Sequence, residues 1–426
     1  MSAPDLSSHD APPTRDRGET ARSVGVGTWL GRSILAIAIG VMATTSLYTI
    51  REGLRGLVWQ SDWTLATGGG AIDLRLRHRE VQRWFAGLPA RDEGDPETYI
   101  TYPPASYMIL WPLLGWMPLE PARGFWAMVS LAGLAWLCVL LARESRARSA
   151  LEYAAAALIP LSMVGTRVCL ANGQLAILLV PLLVTGALML AREECDWRCD
   201  MMGSALMLGA LVKPTFAAPF ILVVLVTLRR LRPAALIAGA YAVLTLIAVS
   251  FQPTSRTKAM TEWLRHGATS LATPRGQANL QAWLVGAGFG RWVVPASLLA
   301  LGALAVWLYH HREDEPWILL GVTGIVARMW TYHWSYDDLL LLLPMVTLAR
   351  LAGDAATPRL RRGVAATLLA LGWLTLLDMP WTWGLTRIPG WYGAQSFVWL
   401  AVLVFLACQP RRVVALPAVA APTVAT

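Results

Sequence analysis

Residues 171–190 read ANGQLAILLVPLLVTGALML, and residues 202–233 read MGSALMLGALVKPTFAAPFILVVLVTLRRLRP. In the second stretch only Lys213-Pro214 parts two apolar runs. The first opens on Asn172-Gly173-Gln174. Apolar runs of this kind meet the lipid solvent as helices, because only a helix or a closed barrel satisfies its own backbone there. Pro214 has no N–H to give and ends one helix as it starts the next. The polar residues therefore stand at helix ends, and a helix end belongs to one membrane face.

The same pattern extends across the chain. Of 426 residues, 56% are hydrophobic and 15% charged, against about 25% charged in a soluble domain. That excludes a soluble globular enzyme and a disordered regulator. The net charge of +9 does not indicate nucleic acid; it reads as Arg in cytoplasmic loops. Apolar segments fall at 29–50, 122–142, 151–169, 173–191, 201–212, 215–229, 233–251, 293–309, 316–332, 337–351, 363–378 and 394–408. The expected fold is an all-α polytopic bundle of about twelve transmembrane helices. A run at 105–118, interrupted by Pro112 and Pro118, reads as re-entrant or interfacial. The polar start, 1–28, reads as a cytoplasmic tail. It shows no cleavable signal peptide, so the run from Trp29 is expected to stay as the first helix. The membrane domain spans 29–408 and a second tail 409–426.

Arg in the short loops orients the bundle. With the N-terminus inside, RESRARS (143–149), RRLR (229–232), HHRED (310–314), PRLRR (358–362) and PRR (410–412) all fall inside. The long loops 51–121 and 252–292 fall outside, with the turns at Asn172, Lys213 and YHWSYDD (332–338) and the loop 379–393. The outer face then collects Asp73, Tyr99, Tyr102, Asn172, Gln174, Lys213, Gln277, Asn279, His333, Asp337, Asp338 and Arg387, while the inner face collects Arg. Ionisable groups at the membrane edge are costly to keep and mark function.

Each outer residue has a chemical reading and a plain one. Asp73, just past the first helix, is placed for a general base whose carboxyl burial would tune; it equally reads as a helix cap or a partner for Arg75 or Arg77. The aromatics and Pro103-Pro104 ahead of 105–118 suit a wall of a lipid groove or a simple loop-to-helix transition. Lys213, one of two lysines in the chain, suits a phosphate or snorkels. Asn172, Gln174, Gln277, Asn279 and Gln281 carry donors and acceptors for sugar hydroxyls, as do ordinary polar loops. His333, Asp337 and Asp338 sit among Trp330, Tyr332, Trp334 and Tyr336. They could orient a hydroxyl or hold a metal, and no metal is expected. Arg328, in the preceding helix, is a candidate phosphate or carboxylate partner. Cys195 and Cys199 lack the spacing of a zinc knuckle. No nucleotide loop is present, so no cofactor is expected and an activated donor would be lipid-borne.

The order of these elements resembles the GT-C membrane glycosyltransferases, and most of all glycosyltransferase family 87. It is carried by Asp73 after the first helix, Tyr102-Pro103-Pro104, Asn172-Gly173-Gln174, the stretch Gly203 to Pro214, Gln277 with Asn279, and His333 beside a Leu-rich helix. The resemblance covers roughly 29–408. It implies Asp73 as general base, Lys213 on the donor phosphate, and His333 helping to hold donor phosphate or acceptor. It departs from the family where Tyr332-His333 replaces a frequent His pair, and where Arg75, Arg77 and Arg79 replace an aromatic-rich stretch. The implied reaction transfers a sugar, mannose first and arabinofuranose second, from a polyprenyl phosphate to a hydroxyl on an envelope glycolipid or glycan. It would take place at the outer face of a bacterial inner membrane, with inversion. Arg328, Tyr102 and Pro103 are expected on the donor side, and Asn172, Gln174, Gln277, Asn279 and Asp337 on the sugar. A lipid transporter and a non-catalytic scaffold are the rival classes; a transporter would carry its polar groups near the bilayer midplane.

Overall fold

The computed structural model describes residues 18–58, 70–90, 102–192, 195–227, 231–253, 261, 278–379 and 390–410. Every apolar stretch read from the sequence is helical over most of its length. In chain order the helices are α1 (Gly18–Val58), α2 (Ile72–Phe85), α3 (Pro104–Leu110), α4 (Leu119–Glu144), α5 (Ala150–Leu158), α6 (Val164–Asn172), α7 (Ala176–Leu190) and α8 (Trp197–Ala210). They continue with α9 (Pro214–Val226), α10 (Leu231–Ser250), α11 (Leu280–Gly286), α12 (Val293–His310), α13 (Pro316–Met329), α14 (Leu342–Gly353), α15 (Arg359–Leu376) and α16 (Trp391–Ala407). Among the described residues the one extended pairing is a single bridge between Met163 and Leu377.

The spans are less uniform than about twelve full crossings. Among the described residues, four helices are long and apolar enough to cross alone: Gly31–Val58, Leu119–Glu144, Leu231–Ser250 and Gly290–His310. A fifth forms if α6 and α7 count as one span bent by 114°. The others are short because the sequence breaks them: at Pro160, at Gly173, at Lys213-Pro214, and across 330–341. Non-helical backbone at such depth is tolerated only where protein covers it. These breaks are covered: Ser162, Asn172, Lys213 and His333 are all buried.

The long helices also show where lipid lies. Ile34, Ile37 and Leu47 on α1, Val243, Leu246 and Ile247 on α10, and Leu298, Leu299 and Val306 on α12 are exposed. Patches of this size rarely face water on a monomer, and here they form the lipid-facing wall. The short helices α6, α7, α9, α13 and α14 are the buried ones, so the core is built from the broken segments.

Charged groups staple the bundle at both ends. Asp378, buried after α15, accepts from Thr49 Oγ1 of α1 at 3.0 Å and from Arg167 Nε of α6 at 2.9 Å. In the loops assigned to the inner face, Glu315 pairs with Arg350 and with Arg146, and Arg350 also donates to the Glu144 carbonyl. Several inner Arg residues therefore clamp loops together besides marking orientation. Cys195 and Cys199, which the sequence reading left unpaired, are joined by a disulfide at the start of α8. α7 separates that bond from Gln174 by 15 residues, about 22 Å of helix.

Candidate active site

α6 ends in a left-handed turn that only glycine takes without strain. Gly173 has φ +66°, and the N–H groups of Gly173 and Gln174 return to the carbonyls of Leu170 and Cys169. A Cβ on Gly173 would lie 2.6 Å from Leu74 Cβ. α2 is therefore seated directly on this turn, and its start is tied down where Ala71 N–H donates to the Ala171 carbonyl at 2.9 Å. The consequence is chemical: Gln174 is brought beside Asp73 and donates a hydrogen bond to its carboxylate. Gly173→Ala combines a positive φ with a clash against the Leu74 Cβ and is expected to cost about 1–3 kcal/mol. Thermal melting in detergent reads it, and a melting point unchanged from wild type would contradict the seating of α2.

α2 is unusual in burying charge. Arg77, His78 and Glu80 are buried together with Leu74, Val81 and Trp84. Arg77 donates to Glu80 at 2.5 Å, and its guanidinium lies 4.2 Å from the centre of the Tyr102 ring. His78 Nε2 lies 2.9 Å from the Met117 carbonyl. Asp73, Arg77 and Glu80 recur at helical spacing on one face. From the sequence Arg77 reads as a partner for Asp73 and Glu80 draws no reading, although the helical spacing is the signal that finds both.

The second wall comes from the break before α9 and the turn after α13. Lys213 occupies the cap position of α9, and its ammonium meets both Asp337 oxygens at 2.7 and 2.9 Å. His333 Nδ1 meets Asp337 Oδ2 at 2.7 Å. His333 is fully buried, and among the described residues its Nε2 has no hydrogen-bond partner. Gly165 lets this turn approach α6: a Cβ there would stand 2.6 Å from the Ser335 carbonyl. Tyr336 lies with its ring centre 5.1 Å from the Lys213 ammonium. An ammonium has three donors, so one N–H of Lys213 remains beyond the two that Asp337 takes.

The two walls lie close enough to act on each other through their charges. The charges of Lys213, Asp337 and Arg77 all act on Asp73, and those of Tyr332, Asp73 and Asp337 on Tyr102. Asp73 is itself only half-buried. Burial pushes its carboxyl above the usual carboxylate range, Asp337 adds to that push, and Arg77, the Gln174 hydrogen bond and Lys213 oppose it. Burial likewise lifts the Glu80 carboxyl to about 7 against the pull of Arg77. Asp337 goes the other way. Burial pushes it up, but Lys213 and His333 outweigh burial and hold it well below the usual range. Burial lowers the His333 imidazole to about 4, although Asp337 favours its charged form.

The remaining sequence-predicted residues divide. Pro103 caps α3 in extended conformation, and Ser106 one turn later donates to the Val212 carbonyl at 2.8 Å, beside Lys213. Asn172 is buried, and its Oδ1 has no partner among the described residues. Asn279 is engaged in the fold: it caps α11 by accepting from Ala282 N–H at 2.8 Å and donates to the His333 carbonyl at 3.1 Å. Arg328 donates to Asp338 at 2.6 Å and lines a narrow cleft with Gln395, Ser396 and Trp399. His333, Asp337 and Asp338 thus do not converge, because Asp338 turns to Arg328 while Asp337 turns to His333 and Lys213. Gln277, Tyr99 and Arg387 lie outside the described residues.

Compared with known proteins, residues 99–349 match the family model for glycosyltransferase family 87. The match contains Lys213, His333 and Asp337; Asp73 precedes it. No curated protein and no solved structure matches the chain.

Proposed function

Because the chain belongs to glycosyltransferase family 87 and is a membrane glycosyltransferase, we propose that it transfers mannose from a polyprenyl-phosphate donor to a hydroxyl of an envelope glycolipid or glycan. The single observation that supports this reading most is a half-buried carboxylate, Asp73, that feels the charges of Lys213 and Asp337 in the buried Lys213–Asp337–His333 cluster. Asp73 takes the proton of the acceptor hydroxyl. The hydroxyl oxygen attacks the anomeric carbon from the side opposite the phosphate. The carbon–oxygen bond to the phosphate breaks, the electron pair leaves with the polyprenyl phosphate, and the configuration inverts. The remaining N–H of Lys213 stabilises the departing phosphate, a fixed electrostatic contribution that needs no reorganisation during the step. Tyr102, Pro103 and the α3 segment form the donor-side wall, and Asn172, with its open acceptor oxygen, faces the sugar.

The site's face is the outer one when both termini are cytoplasmic, in a bacterial inner membrane. Arg in the short inner loops supports this orientation. The Cys195–Cys199 bond falls on the face so assigned to the cytoplasm, where such bonds are normally kept reduced. Thiol-reactive labelling of intact and permeabilised cells after reduction decides the face; labelling of Cys195 and Cys199 from outside would reverse the orientation.

The test is transfer by purified protein in detergent from synthetic polyprenyl-phosphate mannose. Transfer only from the arabinofuranose donor would replace the sugar, and no transfer from either would remove the reaction. The pH dependence has a defined sign. A general base works deprotonated, so kcat/KM falls as pH drops through the Asp73 pKa, and the limb lies above the ordinary value of about 4. A limb at or below that value would contradict the electrostatics of the site.

A further inference from the structure

Asp337 is buried, and both of its oxygens are engaged. One meets Lys213, and the other is shared between Lys213 and His333 Nδ1. Three of its roughly four acceptor sites are thus taken within the fold. His333 Nε2 is a buried polar atom of a fully buried ring with no hydrogen-bond partner among the described residues. Buried polar atoms without partners are rare and call for an explanation. The hydrogen bond made by one ring nitrogen decides what the other can do. A carboxylate only accepts, so Nδ1 must carry a proton and donate to Asp337. In the neutral ring Nε2 is then an acceptor, and burial holds the ring neutral near pH 7. A neutral acceptor nitrogen cannot donate to a phosphate; its complement is a hydroxyl.

We propose that Asp337 is a positioning residue that fixes His333 as the Nδ1–H tautomer, and that His333 Nε2 accepts a hydrogen bond from a hydroxyl of the donor sugar. The assignment to the donor rests on the transferase reading above. Asp337 couples His333 to Lys213, the residue on the leaving phosphate, whereas Asp73 stands on the acceptor side. The pairing gives one carboxylate two tasks, holding the ammonium for the phosphate and aiming the imidazole at the sugar. It also explains why a Lys, an Asp and a His from two separate segments are buried together at the membrane edge.

Asp337→Asn tests the tautomer. Lys213 has only donors, so the new amide must turn its oxygen to Lys213 and present its NH2 to His333 Nδ1. That forces the proton onto Nε2 and converts the acceptor into a donor. Nitrogen-15 NMR of histidine-labelled protein, with His333→Gln used to assign the signal, should show Nδ1–H in wild type and Nε2–H in Asp337→Asn. Nε2–H in the wild type would overturn the proposal. This arm needs no turnover, so it separates failure of the present inference from failure of the transferase reading.

Monodeoxy substrates test the hydroxyl. Wild type should discriminate against one monodeoxy donor by about 10- to 100-fold in kcat/KM, the effect of leaving a buried acceptor unmatched. In His333→Phe that ratio should fall to near unity; Asp337→Asn, whose Nε2–H can still donate to the hydroxyl oxygen, tests the tautomer alone. The ratio cancels any loss of folded protein. An unchanged ratio in His333→Phe, or a collapse seen with monodeoxy acceptors instead, would overturn the assignment to the donor sugar.

Discussion

Asp73→Asn is expected to lower turnover by about 10²–10⁴-fold, the range a positioned general base supplies, while the protein still folds and binds donor. The substitution keeps the shape of the side chain, and the Asn oxygen still accepts from Gln174, so α2 stays on the Gly173 turn. The half-buried position means that little packing is lost. Only the capacity to take a proton disappears. KM for the donor should stay within about threefold, because an interaction made only in the transition state appears in kcat. A rival carboxylate lies two turns along the same helix. Glu80 is pushed to about 7 and would titrate where an assay is usually run. The two are separated by Glu80→Gln: the Asp73 reading requires that this variant keep the acid limb of the pH profile and most of the turnover. If Glu80→Gln is the inactive variant and Asp73→Asn turns over near the wild-type rate, the base is assigned to the wrong residue.

What the sequence disclosed about this site depended on the range of the interaction. Asp73, Lys213 and His333 stand out one by one, since each is an ionisable residue at the end of an apolar run. The NGQ turn is legible because Gly173 sits where α6 must stop. Asp337 was visible too, but its partnership with Lys213 spans 124 positions, and no local periodicity reports such a contact. The same limit hid the Arg167–Asp378 staple and the hydrogen bond from Asn279 to the His333 carbonyl, 54 positions away. The helical segments were legible from hydropathy, whereas their lengths were not. A bend at Gly173 or a break at Lys213 is stable only because other segments cover the freed backbone, and that cover is a tertiary fact. The charged face of α2 shows the opposite case. Its negative mean hydropathy reads as a surface helix, yet Arg77 and Glu80 are inside because each satisfies the other.

Lys213→Met is expected to destabilise the protein by about 3–5 kcal/mol, the usual consequence of removing one partner of a buried ion pair, and to abolish transfer as well. The side chains of Lys213 and Asp337 are 6% and 1% exposed, so solvent cannot take over the role of the lost ammonium. Asp337 would be left with His333 alone, a ring that Asp337 can charge only by overcoming its burial. The double variant Lys213→Met/Asp337→Asn removes the uncompensated charge and should recover most of the melting temperature. It should not recover transfer, because the donor for the leaving phosphate is still missing. That split is read against Asp337→Asn alone: a purely structural Lys213 predicts that the double variant turns over as well as that single variant. Thermal melting in detergent and transfer by the same preparations read both quantities. A single Lys213→Met variant that melts like wild type would show the pair to be solvated, and the electrostatic support for phosphate departure would go with it.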